Sequence, residues 1–172
     1  MPLIKTVNGY TPQFGNNIYL AENATVVGDV VFGDDCSVWF HTVIRGDVNA
    51  IRIGHRVNVQ DGAIIHCTWK KAATTIGDSV SIGHRAIVHG CTLKNNILVG
   101  MGAIIMDHAV VEDNVLIAAG ALILEHSVLE SGFIYAGIPA RKIKPLSEEQ
   151  FSQTVSGIAH NYITYAGWFK ES

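Results

Sequence analysis

The chain is poor in charge, in cysteine and in long apolar runs, and each shortage removes a class of protein. Only 16% of its 172 residues are charged and the net charge is −3, which argues against nucleic acid or an anionic membrane surface as the main partner. Three cysteines, Cys36, Cys67 and Cys91, form no Cys-x-x-Cys pair and suggest no disulfide framework. The longest apolar run, residues 116–124, is too short to span a bilayer. The opening Met1-Pro2-Leu3-Ile4-Lys5 is not a signal peptide, so the expected location is cytoplasmic. At 48% apolar the chain is globular rather than disordered, and residues 1–172 read as a single domain with a sizeable core.

What is present is a period of six. Eighteen anchors, nearly all aliphatic, step by six from Leu20 to Leu129, and small or β-branched residues recur two before an anchor, as at Ala24, Ala63, Ala86 and Ala121. A helix needs a spacing near 3.6 and a half-buried strand needs strict alternation. Six fits short strands that turn a corner every hexad and bury one aliphatic at each. The pattern resembles the hexapeptide-repeat proteins, and the resemblance implies an all-β solenoid: a left-handed parallel β-helix with three hexads per coil. Residues 18–131 then make about six coils, stacked about 4.8 Å apart.

The flanks read differently. Residues 1–17, with Pro2, Gly9, Pro12 and Gly15, form an N-terminal arm with one strand capping the first coil. Residues 132–146 form an exit segment, in which Tyr135-Ala136-Gly137-Ile138-Pro139-Ala140-Arg141 resembles the exit of hexapeptide-repeat proteins. Residues 147–170 predict a C-terminal α-helix. Ser147 and Gln150 match a capping box, and Glu148 and Glu149 suit the positive end of the dipole. Phe151, Val155, Ile158, Tyr162, Tyr165 and Phe169 make an apolar stripe expected to pack on an outer face of the solenoid. Gly157 weakens the middle of the helix.

The period slips three times: Ile44 to Ile53 is three residues long, Ile65 to Ile76 is five long, and Val88 to Leu93 is one short. Counting corners by threes from Leu20 puts every slip after the same corner, which marks a functional side. The residue after the anchor at that corner is, coil by coil, Val27, Arg45, His66, His89, Met106 and Leu124. His66 and His89 are therefore vertical neighbours about 4.8 Å apart at Cα, close enough to share one metal at about 2.0–2.1 Å from each nitrogen. His84 precedes His89 by five extended residues and does not easily fold back to that metal. It reaches instead a metal held by another subunit, and cyclic symmetry of order three gives three identical interface sites. His108 and His126 also stack one coil apart, but no third ligand aligns with them. The small or apolar stack Trp39, Gly83, Gly100 and Ala118 suits a subunit contact.

Arg45-Gly46-Asp47, Asn58-Val59-Gln60-Asp61, His66, and His84 with His89 in Gly-His-x-x-x-x-His-Gly closely resemble the γ-class carbonic anhydrases. The resemblance implies a homotrimer in which His66 and His89 of one subunit and His84 of the next bind metal. Gln60 would orient metal-bound hydroxide. Arg45, Asp47 and Asp61 would form an interface ion network near the substrate, although Arg45 and Asp47 also read as a simple trimer clamp. Tyr162 loosely matches a pocket tyrosine of some members and reads equally as a stripe residue.

The implied activity is reversible hydration of carbon dioxide to bicarbonate. Zn2+ suits imidazole ligands, as do Fe2+ and Co2+. Two departures bear on rate. Val48 follows Asp47 where the most active members carry glutamate, and the loop after His66 offers Lys70 and Lys71 but no acid, so the acidic proton shuttle is missing. Hydrolysis of an acyl-coenzyme A thioester by the same metal chemistry, a metal-free hexapeptide acyltransferase, and a metal-binding trimer of low turnover are the alternatives.

Overall fold

The computed structural model describes residues 1–170. Strands of two or three residues dominate because each hexad uses its remaining residues to turn a corner. On one face Tyr19–Leu20, Ser37–Val38, Asn58–Val59, Val80–Ile82, Ile97–Val99, Val115–Ile117 and Phe133–Gly137 pair in parallel, one above another. The anchors fall in vertical register, Val38 over Val59 over Ile82 over Val99 over Ile117, and all five are buried. A second column runs Ile44, Ile65, Val88, Ile105, Ile123, and a third Ile53, Ile76, Leu93, Val111, Leu129. These two faces form one continuous sheet because Thr25–Phe32 and Val43–Ile53 run unbroken around the corner between them. Fully burying one such side chain is worth about 1.5–3 kcal/mol, and the three columns make one contiguous core. The fold is the left-handed parallel β-helix implied by the repeat.

The solenoid has about seven turns rather than six. The extra level comes from the segment read as an exit: Phe133–Gly137 continues the parallel stack on Val115–Ile117, then Ala140–Pro145 returns antiparallel against it. At the other end Leu3–Lys5 adds in parallel to Thr25–Val27, the cap expected of the N-terminal arm. One edge carries a ladder in which Asx side chains accept the backbone N–H of the coil before. Asp34 takes that of Asn16, Asp78 that of His55, Asn95 that of Asp78, and Asp113 that of Asn95. His55 fills the remaining rung, its Nδ1 accepting the N–H of Asp34 at 2.9 Å.

The C-terminal helix starts at a capping box made by Ser147 and Gln150, as its sequence predicts. It is not uniform: Glu148–Gln150 leads into a π-helical Phe151–Ser156 before Gly157–Lys170 resumes as α-helix. Gly157 has a reason beyond tolerance, since a Cβ there would lie 2.8 Å from the Ser152 carbonyl oxygen in the widened turn. Val155, Ala159 and Ala166 are buried against the solenoid, and Tyr162 and Phe169 meet Trp39 edge-on at 5.3 Å. The stack expected to meet another subunit is thus partly covered by the chain's own helix: Trp39 packs under it, and Gly83, Gly100 and Ala118 line a groove beneath it. Glu171 and Ser172, the end of the single domain expected from the sequence, lie outside the described residues. Among the described residues no helix is long and apolar enough to cross a membrane.

Candidate metal centre

The corner where the period slips carries one half of the expected site. Ile64–His66 and Ile87–His89 pair in register, so His66 and His89 are direct neighbours across one strand spacing. Their rings meet edge-on, 60° between planes, with His66 Nδ1 3.1 Å from His89 Nε2. Each ring's other nitrogen rests on a carboxylate: His66 Nε2 on Asp47 Oδ1 at 3.0 Å, and His89 Nδ1 on Asp107 Oδ1 at 2.6 Å. Arg45 closes the row through an ion pair with the other oxygen of Asp47.

The protonation pattern follows from what each group can accept. Burial pushes the Asp47 carboxyl up, but hydrogen bonds from His66 and Arg45 and the Arg45 charge outweigh it, and its pKa lies below the ordinary carboxylate value. Asp107 behaves alike, with Thr68 and His89 outweighing its burial. An ionised carboxylate only accepts, so the nitrogen facing it carries the hydrogen. Burial lowers the His66 pKa, helped by Arg45 and His89 and opposed by Asp47, which keeps that ring neutral near neutral pH. The two inner nitrogens, 3.1 Å apart, are then the ones left to share a proton or a metal. Nitrogens 3.1 Å apart are close enough to share one divalent ion at about 2.0–2.1 Å from each, and imidazoles backed by carboxylates are the usual form of a histidine metal site. The donor set therefore fits a metal, but one chain does not complete it. Among the described residues no three His, Cys, Asp or Glu side chains gather as metal ligands.

The remaining expected residues assemble elsewhere. Gln60, His84 and Tyr162 line a groove of about 410 Å³ between the solenoid and the C-terminal helix, floored by Leu98, Leu116 and Ala118. His84 Nδ1 lies 2.9 Å from Asp61 Oδ2, which leaves Nε2 to look outward, and the His84 side chain is 43% exposed. Gln60 is buried; its Nε2 donates to Asn58 Oδ1 at 3.0 Å, and Asn58 in turn donates to Ser81 Oγ at 2.8 Å. That relay orients the amide and leaves Gln60 Oε1 as an acceptor. Burial, with Asp61 and Tyr165, pushes the Tyr162 phenol up to about 12, so it is a proton-carrying hydroxyl at neutral pH. Asp61 thus sits with His84 and not with Arg45 and Asp47: within one chain the ion network expected of the three is split in two.

Val48 is half-buried and lines a cavity of about 270 Å³ with Asp47, Asn8 and Trp69. The loop after His66 is held by the N–H of Thr68 donating to the Ala72 carbonyl, and it exposes Trp69 with Lys70 over its ring. Cys67 and Cys91 are buried thiols, pushed up by burial. His108 and His126 stack at 4.9 Å, exposed. Sequence reading missed Asp107, Thr68 and Ser81, and it quoted Asn58 in a motif without giving it a role. Asp107 alone left a signal, since it follows Met106 in the column that holds Arg45, His66 and His89.

No family model matches the chain. A carbonic anhydrase from Geobacillus kaustophilus is 42% identical over 168 residues, 98% of this chain and 91% of that protein. The mitochondrial gamma carbonic anhydrase 2 of Arabidopsis thaliana is 38% identical over 161 residues, 91% of this chain and 58% of that protein. Among solved structures, a hexapeptide transferase family protein from Anaplasma phagocytophilum superposes with a TM-score of 0.92 at 38% identity, over 97% of this chain and 98% of that one.

Proposed function

The chain belongs to the γ-class carbonic anhydrase family, and on that premise we propose that it hydrates carbon dioxide reversibly to bicarbonate at a metal shared between subunits of a homotrimer. His66 and His89 of one subunit and His84 of the next would hold the ion. The observation that carries this reading is the pair of facing ring nitrogens, His66 Nδ1 and His89 Nε2, each ring backed by a carboxylate and short of a third ligand. His84 has a free Nε2 on a different face of the solenoid, so a neighbouring copy supplies what one chain lacks.

When bound, a divalent ion supplies Lewis acidity, which makes water a nucleophile near neutral pH; zinc, iron and cobalt all suit imidazole. The protein's own groups do the rest. Gln60 Oε1 accepts a hydrogen bond from the attacking water and aims its lone pair. Leu98, Leu116 and Ala118 give carbon dioxide an apolar wall and keep bulk water off it. Tyr162 donates from its hydroxyl toward oxygen that gains charge. Arg45 and Asp47 hold His66 in place, and Asp61 holds His84.

A second reading, thioester hydrolysis, draws on one observation: a groove of about 410 Å³ with an apolar floor is far larger than carbon dioxide needs. Metal-loaded protein assayed side by side for carbon dioxide hydration and thioester hydrolysis tests both. Hydration that disappears in His84→Ala and in His89→Ala supports the first. Hydration at the buffer rate, with thioester turnover that needs the same histidines, replaces it.

A further inference from the structure

We propose that Asp107 is the positioning residue that makes His89 available to a metal, by holding the ring hydrogen on Nδ1 so that Nε2 does not donate to His66, as Asp47 does for the other ring. This rests on the reading of His66 and His89 as ligands. Their facing nitrogens are 3.1 Å apart, which is also an ordinary hydrogen-bond distance. A histidine in water holds its hydrogen on either nitrogen. With the hydrogen on Nε2, His89 would donate to His66 Nδ1, and the pair would be satisfied without metal. With the hydrogen on Nδ1, the Nε2 lone pair is open. The Asp107 carboxylate, 2.6 Å from His89 Nδ1, selects the second form because it can only accept.

Three separate parts of the chain build the seat for that carboxylate. Thr68 Oγ1 donates to Asp107 Oδ2, which fixes the carboxylate's plane and leaves Oδ1 for His89. Thr68 is delivered by the five-residue insertion after Ile65: its N–H donates to Ala72, and Asn49 Nδ2 donates to the Thr68 carbonyl at 3.3 Å. Gly90 supplies the space. A Cβ at residue 90 would lie 2.4 Å from Asp107 Oδ1 and 2.7 Å from Asp107 Cγ, and its φ of +55° already favours glycine. The Asp107 side chain is 16% exposed, so water competes little for its oxygens. Two of the three slips in the period, the insertion after Ile65 and the deletion after Val88, thus meet at one carboxylate from the coil beyond.

The test is made on the full chain, stripped of metal by a chelator and then titrated with zinc in competition with an indicator. Asp107→Asn, which keeps the volume but can present an N–H, should weaken zinc binding about 10–100-fold. Thr68→Val should weaken it less and in the same direction. In the metal-free protein, 15N imidazole spectra should show His89 as the Nδ1–H tautomer, with Nε2–H gaining population in Asp107→Asn. Unchanged tautomer and unchanged zinc affinity in both variants would overturn the proposal. Should Asp107→Asn fail to fold, Thr68→Val carries the same two readouts. His66→Ala separates the two levels of inference. Zinc affinity indifferent to His66 removes the metal reading, while the tautomer of metal-free His89 still decides whether Asp107 selects it.

Discussion

His84 precedes His89 by five residues, yet the two belong to different walls of the solenoid. His84 pairs with Asp61 beside the C-terminal helix, and His89 pairs with Asp107 on the corner that also holds His66. A site built from both needs a second copy. Solution mass should be three times the chain mass, and subunit mixing should reveal the sharing. Chains carrying His84→Ala and chains carrying His89→Ala should each be inactive alone. Refolded together, a mixed trimer regains one site of three, where an intact His66–His89 pair meets an intact His84. Zinc content and hydration both read this out. Mixtures as inactive as their parents would place all ligands within one chain or show that the wrong histidines have been chosen.

Ligand assignment has a direct check. His66→Ala, His84→Ala and His89→Ala should each lower bound metal sharply, and His108→Ala should leave it unchanged, because the exposed His108–His126 stack lacks a third donor among the described residues. Elemental analysis after dialysis decides.

Proton export should limit turnover. Val48 cannot relay a proton, His55 spends Nδ1 on the Asp34 N–H, and Tyr162 at about 12 is too weak an acid near neutral pH. Imidazole raised at constant pH and ionic strength, with metal saturating, should raise kcat more than kcat/KM. Val48→Glu should reduce that dependence, since residue 48 lines a cavity with Asp47. Fast turnover without buffer dependence would point to Glu125, which lines the same cavity as His89.

Stability should fall on the alkaline side. Burial pushes the Cys36 thiol from 9.0 up to about 11. Between those values the folded chain keeps a proton that the unfolded chain has lost, so unfolding releases it, and stability declines as pH rises, by up to about 1.4 kcal/mol per pH unit. Urea midpoints measured across that window should drop for the native chain and drop less for Cys36→Ala. Parallel slopes would show that the thiol titrates alike in both states.

Gly157→Ala should destabilise, against the usual rule. Replacing a mid-helix glycine normally gains about 0.5–1 kcal/mol. Here the added Cβ meets the Ser152 carbonyl oxygen at 2.8 Å, and overpacking costs about 1–3 kcal/mol. Thermal unfolding of the two proteins gives the sign.

The solenoid was legible because every coil repeats one instruction: Val59, Ile82, Val99 and Ile117 each bury an aliphatic at the same phase, and a period of six has no helical or simple strand reading. The last turn was not. Phe133–Gly137 lies beyond the final anchor, and Ala140–Pro145 is exposed at every residue after Ala140, with no inward column to betray it. His66 and His89 were legible for the same reason as the core, since counting hexads stacks them. Asp107 and Thr68 were not, because their meeting depends on the path of an irregular loop and on the space left by a missing side chain at Gly90. The π-turn was hidden as well, as a glycine in a helix reads as weakness until the carbonyl it avoids is seen.

The return strand Ala140–Pro145 has a further consequence. A stack of like parallel coils resembles a one-dimensional crystal whose growing face would accept another coil from any copy of itself, and a filament would follow. Reversing the chain direction at the last strand changes the hydrogen-bond pattern along that edge, so a like coil arriving next does not meet the parallel row that the earlier coils offer. Arg141 and Lys144 on that strand add like charge to the face, while Lys142 pairs with Glu130 at 2.7 Å. On this one face the molecule ends its own lattice with an antiparallel strand, which works against end-to-end growth.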